Sequence, residues 1–305
     1  PPTEEEHLTA YRAVVDGLAG QTITIRTLDL GADKQPCGMH RSAAANPAMG
    51  LRAIRLCLKE PALFLPQIRA ILRASAFGPV RLMLPMLTSV WEVEQTSKII
   101  DQAMRQLDAE GLAFDPDIPV GGMIEVPAAA LHADAFAERL DFLSIGTNDL
   151  IQYTLAIDRV DDEINYLFDP AHPAVLRLIR EVIAAAARHD IPVGMCGEMA
   201  GNPLATLLLL GLGLDEFSMV PSVIPEGKKI VRSYSYMKSV LAGLRGRLER
   251  AEAALAALTP PRGRGKRQIE DEAQLLSAIQ QIEAKYRVKG FFHYHYQQEV
   301  AERHV

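Results

Sequence analysis

Short apolar runs rich in β-branched residues alternate with longer segments in which apolar residues recur at helical spacing, from the N-terminus to about residue 220. The short runs predict strands over 22–29, 81–86, 120–126, 141–147, 192–198 and 216–220. The longer segments predict helices that include 3–18, 91–110, 127–139, 173–189 and 203–212. Thr3 and Glu6 have the spacing of a capping box, and Asn202 followed by Pro203 reads as a helix start. Strands apolar on both faces and separated by helices pair in parallel through right-handed crossovers, which leaves a closed barrel or an open doubly wound sheet. The polar residues favour the barrel. Arg26 with Asp29, Glu125, the stretch 147–149 and the stretch 196–198 each close a separate strand, at the end where barrels keep their chemistry.

The alternation fades before Pro260, where Thr259-Pro260-Pro261 gives way to a basic, glycine-rich stretch over 262–267, a polar helical segment over 269–285 and an aromatic segment over 291–296. The boundary is therefore set at 259/260, with a barrel domain over 1–259 and a tail over 260–305. At 305 residues the length suits one large α/β barrel. The net charge of −6 gives no footing for nucleic acid. No apolar run approaches the roughly 20 residues that span a bilayer, and the first residues lack the pattern of a secretory signal, so a cytoplasmic address is expected. Three cysteines, Cys37, Cys57 and Cys196, without a close pair, read as reduced thiols. His40, His132, His172 and His189 have no metal-ligand spacing and read as capping or surface residues. Phosphate-loop, dinucleotide and nucleophile-elbow motifs are missing.

Glu125 and Asp149, on neighbouring strand ends, suit a hard divalent ion such as Mg²⁺, although either carboxylate alone fits a helix cap equally well. Arg26, Arg52 and Arg159 stand beside small or turn residues, and guanidinium forks match phosphate and carboxylate oxygens two at a time. Lys34 adds a point charge. Any one of these arginines alone also fits a surface ion pair. Cys196 lies between glycines, open to a ligand, and near a metal and arginines its pKa would fall; a buried structural thiol is the plainer reading.

Read together, several stretches resemble the Enzyme I family, the phosphoenolpyruvate-protein phosphotransferases of the bacterial sugar phosphotransferase system. They are IRTLDLGADK (25–34), NPAMGLRAIR (46–55), IRAILRASAFG (68–78), IEVPAAA (124–130), SIGTNDL (144–150), QYTLAIDR (152–159), GMCGE (194–198) and LLLLGLGLDEFSM (207–219), in family order. The resemblance implies a TIM-type (β/α)₈ barrel that forms a homodimer and passes the phosphoryl group of phosphoenolpyruvate (PEP) to a histidine on a separate swivelling domain, leaving pyruvate. It implies that Glu125 and Asp149 hold Mg²⁺, that Arg26, Arg52, Lys34 and Arg159 neutralise the ligand, that Asn148 orients the phosphoryl group, and that Cys196 protonates C3 of the enolate.

Ala32 stands where the family has glycine. An upstream strand with a further arginine has no counterpart here, so the barrel is expected to lack its first strand, even granting a short strand near 49–53. The phosphohistidine domain would have to act in trans. The tail, through QIEAKYRVKG (281–290), resembles a piece of an insertion-sequence transposase. Alternatives are an interaction-only or non-functional fragment, or a relative of pyruvate phosphate dikinase or PEP synthase.

Overall fold

The computed structural model describes residues 2–29, 48–159 and 161–234. The chain separates into two compact units, Pro1–Met237 and Lys238–Val305, and every described residue belongs to the first. The 259/260 boundary, the tail, Lys34, Ala32, Cys37 and His40 lie outside the described residues.

Among the described residues six strands form one sheet: β1 (Ile23–Arg26), β2 (Val80–Leu84), β3 (Val120–Ile124), β4 (Phe142–Gly146), β5 (Val193–Cys196) and β6 (Glu216–Phe217). They lie in the spatial order β1-β2-β3-β4-β5-β6, and every neighbouring pair is parallel. That order decides between the two architectures left open by periodicity. A doubly wound sheet reverses its strand order at a switch point, whereas a sheet that adds each strand on the same side is wound as a barrel is. The result is a half-barrel of α/β class.

Side chains on the concave face show the curl directly. Arg81 on β2 reaches Glu216 on β6, with Nη2 3.2 Å from Oε1, and donates from Nε to Thr24 Oγ1 on β1 at 3.0 Å. Its guanidinium carbon lies 4.7 Å from the centre of the Phe142 ring on β4. Gly121 on β3 makes room for that ring, since a Cβ there would sit 2.4 Å from ring carbons. The convex face carries Leu82, Leu84, Ile124, Ile145 and Val193, all buried in the core beneath the helices. Burying such aliphatic faces stabilises by roughly 25 cal/mol per Å² of apolar surface, the main term holding helices to sheet.

The helices are α1 (Glu4–Gly17), α2 (Ala53–Lys59), α3 (Pro61–Ser75), α4 (Val90–Ala109), α5 (Pro127–Leu131), α6 (Ala133–Ala137), α7 (Thr147–Leu155), α8 (Pro173–Arg188) and α9 (Pro203–Leu212). The expected capping box starts α1: Glu6 donates its N–H to Thr3 Oγ1 at 3.3 Å, and Thr3 donates its N–H to Glu6 Oε2 at 2.7 Å. Asn202 Oδ1 accepts the Leu204 N–H at 2.9 Å and starts α9. His172 caps α8 by accepting the Ala174 N–H on Nδ1 at 3.2 Å. Arg69 and Arg73 of α3 clasp Glu4 at 2.6 and 2.7 Å, which holds α1 against α3.

Two expectations need correction. The segment near 49–53 is a turn leading into α2 and not a strand. The single helix expected over 127–139 is two short helices, because His132 leaves helical geometry at φ −114° and ψ 26°.

Candidate functional site

Strand carboxyl ends converge at one rim of the half-barrel, and the polar residues of the sequence cluster there. Glu125 directly follows β3, is 1% exposed, and accepts the N–H of Met86 on Oε1 at 2.7 Å. Gly146, at the end of β4, makes space for it, since a Cβ there would lie 2.7 Å from Glu125 Oε2. Burial pushes the Glu125 carboxyl well above the usual carboxylate range, the charge of Asp149 pushes the same way, and the Met86 N–H opposes both. Asp149 itself stands in the first turn of α7, where the helix dipole favours a negative charge. Met86 holds its N–H in place with a left-handed backbone, φ 58°, a strained conformation for a residue with a side chain.

Arg52 precedes α2 and forms a two-toothed pair with Asp29, Nε to Oδ1 at 3.0 Å and Nη2 to Oδ2 at 2.9 Å. The side chains are 12% and 6% exposed. Arg52 Nη1 also donates to Tyr153 Oη at 3.3 Å and to the Ala48 carbonyl at 3.4 Å, and lies 3.8 Å from Asp149 Oδ1. Burial works against the guanidinium charge, but the hydrogen bonds and charge of Asp29 outweigh it and raise the Arg52 pKa. Arg26 is freer: its side chain is 46% exposed, with Nη1 3.9 Å from Asp29 Oδ2 and 3.9 Å from Met123 Sδ.

Cys196 ends β5. Ser144 on β4 donates from Oγ toward its Sγ at 3.9 Å, and Thr147 Oγ1 donates to its carbonyl at 3.0 Å. A depressed thiol pKa was expected beside a metal and arginines; the protein's own groups push the thiol the other way. Burial raises it, the Ser144 hydrogen bond and the Arg26 charge lower it, and Glu125 and Asp149 raise it further, so the thiol keeps its proton. The buried Cys57 thiol is pushed up to about 12 and remains a structural residue.

After Cys196 the chain turns at Gly197, φ 97° and ψ −179°, a conformation open essentially to glycine alone. The turn presents the N–H of Glu198 to Asn148 Oδ1 at 3.0 Å. Glu198 in turn faces Arg159, with Nη1 4.0 Å from Oε1, and the Arg159 N–H donates to Gln152 Oε1 at 3.2 Å. Arg159, Glu198, Asn165 and Phe168 line an open hollow beside the rim.

Arg26, Arg52, Asn148, Asp149, Glu125 and Cys196 thus share one rim, with Arg159 at its side. Asp29, named from sequence only as a strand-end residue, completes it together with Tyr153, Met86 and Ser144, which were not singled out from sequence. Tyr153 had a usable signal, since it follows Asp149 by four residues and so shares a helix face with it. The rim offers hard oxygen donors from two carboxylates, a half-exposed guanidinium and a protonated thiol. Among the described residues no group of three or more His, Cys, Asp or Glu is arranged to hold a metal, so a cation at this rim would draw on the two carboxylates and on oxygens from elsewhere.

Residues 1–236 match the family described as PEP-utilising enzyme, PEP-binding domain. The chain is 57% identical over 223 residues to the phosphoenolpyruvate-protein phosphotransferase of Cupriavidus necator, covering 72% of this chain and 38% of that protein. Its likeness to the proteins of the same name from Staphylococcus carnosus and Bacillus subtilis is 47% in each case, over 76% and 75% of this chain and 40% of each relative. The chain spans about two fifths of the length of the curated relatives it matches. A match over residues 1–236, containing the whole rim, is enough to say that the chain belongs to the PEP-binding domain family of PEP-utilising enzymes.

Proposed function

We propose that the chain is the PEP-binding part of a PEP-protein phosphotransferase, and that it promotes Mg²⁺-dependent transfer of the PEP phosphoryl group to a histidine on a separate domain. The observation that supports this most is the convergence of Arg26, Glu125 and Asp149 on the protonated thiol of Cys196, with Arg52 3.8 Å from Asp149. PEP carries a phosphate and a carboxylate, and it becomes an enolate when the phosphoryl group leaves. The rim offers a partner for each of those parts.

Glu125 and Asp149 would hold the Mg²⁺. The donor set fits, because the buried Glu125 carboxylate has the charge of Asp149 pressing against its own, and a hard oxygen-seeking dication relieves that repulsion. Bound there, Mg²⁺ would supply charge neutralisation for the phosphoryl oxygens. Arg26, Arg52, Arg159 and Lys34 would bind the two anionic groups, and Asn148 would orient the phosphoryl group. As the P–O bond breaks and a P–N bond forms on the histidine, the electron pair stays on the enolate. Cys196 then gives its proton to C3, and pyruvate results. The raised thiol pKa suits a donor that must arrive protonated.

The same proposal extends to a cytoplasmic protein that pairs with a second copy of itself. Exposed Leu204, Leu207 and Leu208 on α9 support pairing, and among the described residues no helix is long and apolar enough to cross a membrane.

Proton transfer runs both ways at one site, so Cys196 should also remove a proton from pyruvate. With Mg²⁺ in D₂O, the chain is expected to exchange the pyruvate methyl protons for deuterium, faster as pH rises and more thiolate forms. Cys196→Ala should slow this exchange roughly 10²–10⁴-fold while leaving PEP binding in place. Equal exchange by the variant would overturn the assignment of Cys196 as the proton donor.

A further inference from the structure

We infer that Tyr153 is a positioning residue of the rim, its hydroxyl holding the Nη1 edge of Arg52 in place so that the charge of the fork stays turned to the ligand; this deepens the proposed function and rests on it. Tyr153 projects from α7 into the gap between two parts of the site that come from distant stretches of chain. Its Oη accepts from Arg52 Nη1 at 3.3 Å, donates to the Ala48 carbonyl, and lies 3.8 Å from Met86 Sδ. Each contact bears on a different functional group. Arg52 is an anion-binding fork, Ala48 stands four residues before it, and Met86 is the residue whose N–H fixes the Glu125 carboxylate.

A census of the guanidinium donors shows why the hydroxyl matters. Asp29 engages Nε and one N–H of Nη2, while Tyr153 and Ala48 take Nη1, so four of the five N–H groups are occupied. Asp29 fixes the fork from one side only. The opposite edge is the one nearest Asp149, at 3.8 Å, and hence nearest the carboxylate pair. Tyr153 alone contributes a side-chain acceptor there that carries no negative charge, so it holds the edge without neutralising it. Replacing it with a carboxylate would cancel the charge that an anion needs. Leaving it out would free that edge to swing onto Asp149 and occupy a carboxylate that the proposal assigns to Mg²⁺.

Tyr153→Phe keeps the ring and removes only the hydroxyl. In the full chain with Mg²⁺, PEP binding is expected to weaken about tenfold, the order of one hydrogen bond to a charged group. At saturating Mg²⁺ and pyruvate the rate of methyl exchange should fall by less than PEP affinity does, since the lost hydroxyl touches no reacting atom and saturating Mg²⁺ competes with Arg52 for Asp149. A binding-to-rate split of this kind separates positioning from general loss of structure.

A ligand-free readout runs alongside. In spectra of the ¹⁵N-arginine-labelled chain, the Arg52 guanidinium protons should exchange with water at least tenfold faster in Tyr153→Phe, with those of Arg69 unchanged. Unchanged Arg52 exchange, or an unchanged PEP affinity in a wild-type chain that does bind PEP, overturns the inference. Failure of both proteins to bind PEP would instead sink the proposed function, and the Arg52 exchange would still decide whether Tyr153 sets the fork.

Discussion

Arg52→Ala is expected to destabilise the chain by about 3–5 kcal/mol, the range for removing one partner of a buried ion pair. The cause is Asp29, which is 6% exposed and loses both teeth of its pair at 3.0 and 2.9 Å. Arg26 stands 3.9 Å away but is itself half in solvent, so it compensates only in part. The charge left behind is the source of the cost, so adding Asp29→Asn to Arg52→Ala should recover a large share of it. Urea unfolding of the three variants reads this out as midpoint shifts. A single variant within 1 kcal/mol of the unmutated chain would show that the pair does not hold the rim together.

Gly197→Ala should be of similar size, at about 2–5 kcal/mol, and should also damage the site. Part of the cost is conformational, because φ 97° with ψ −179° is closed to residues with a Cβ and costs of order 1–3 kcal/mol. The rest is steric. An added Cβ would sit 2.3 Å from Thr147 Oγ1 and 3.0 Å from Asn148 Oδ1, and overpacking of this kind adds about 1–3 kcal/mol. Relief requires Thr147 to release the Cys196 carbonyl and Asn148 to loosen its hold on the Glu198 N–H, so the residue that ends β5 and the residue proposed to orient the phosphoryl group both move. Thermal unfolding should show a midpoint lower by roughly 2–4 °C per kcal/mol for a domain of this size. An unchanged midpoint would contradict the close approach of the β5 turn to the start of α7.

How far the sequence carried these conclusions depends on what each pattern measures. The six strands were legible as short apolar runs, five of them with buried residues, but most were drawn too long at the carboxyl end. Asp29, Glu125 and Glu198 were counted into strands that stop at Arg26, Ile124 and Cys196, because the chain leaves the ladder there to form the rim. α2 and α3 were not among the helices named from sequence, and Pro61 between them marks a break that periodicity alone does not place. Strand order was beyond the pattern, and so was the lumen contact of Arg81 with Glu216, which joins residues 135 positions apart. Within the site, carboxylates and arginines announced themselves by chemical type. The upward push on the Cys196 thiol did not, because burial is a property of packing and outweighs the charge of Arg26.

The most direct test of the account is calorimetric titration of PEP into the chain with and without Mg²⁺, repeated on Arg26→Ala, whose half-exposed side chain can be removed while buried Asp29 keeps its two-toothed pair with Arg52. Saturable binding that needs Mg²⁺ and weakens at least tenfold in the variant is the predicted result; no binding, or binding indifferent to both Mg²⁺ and Arg26, would contradict it.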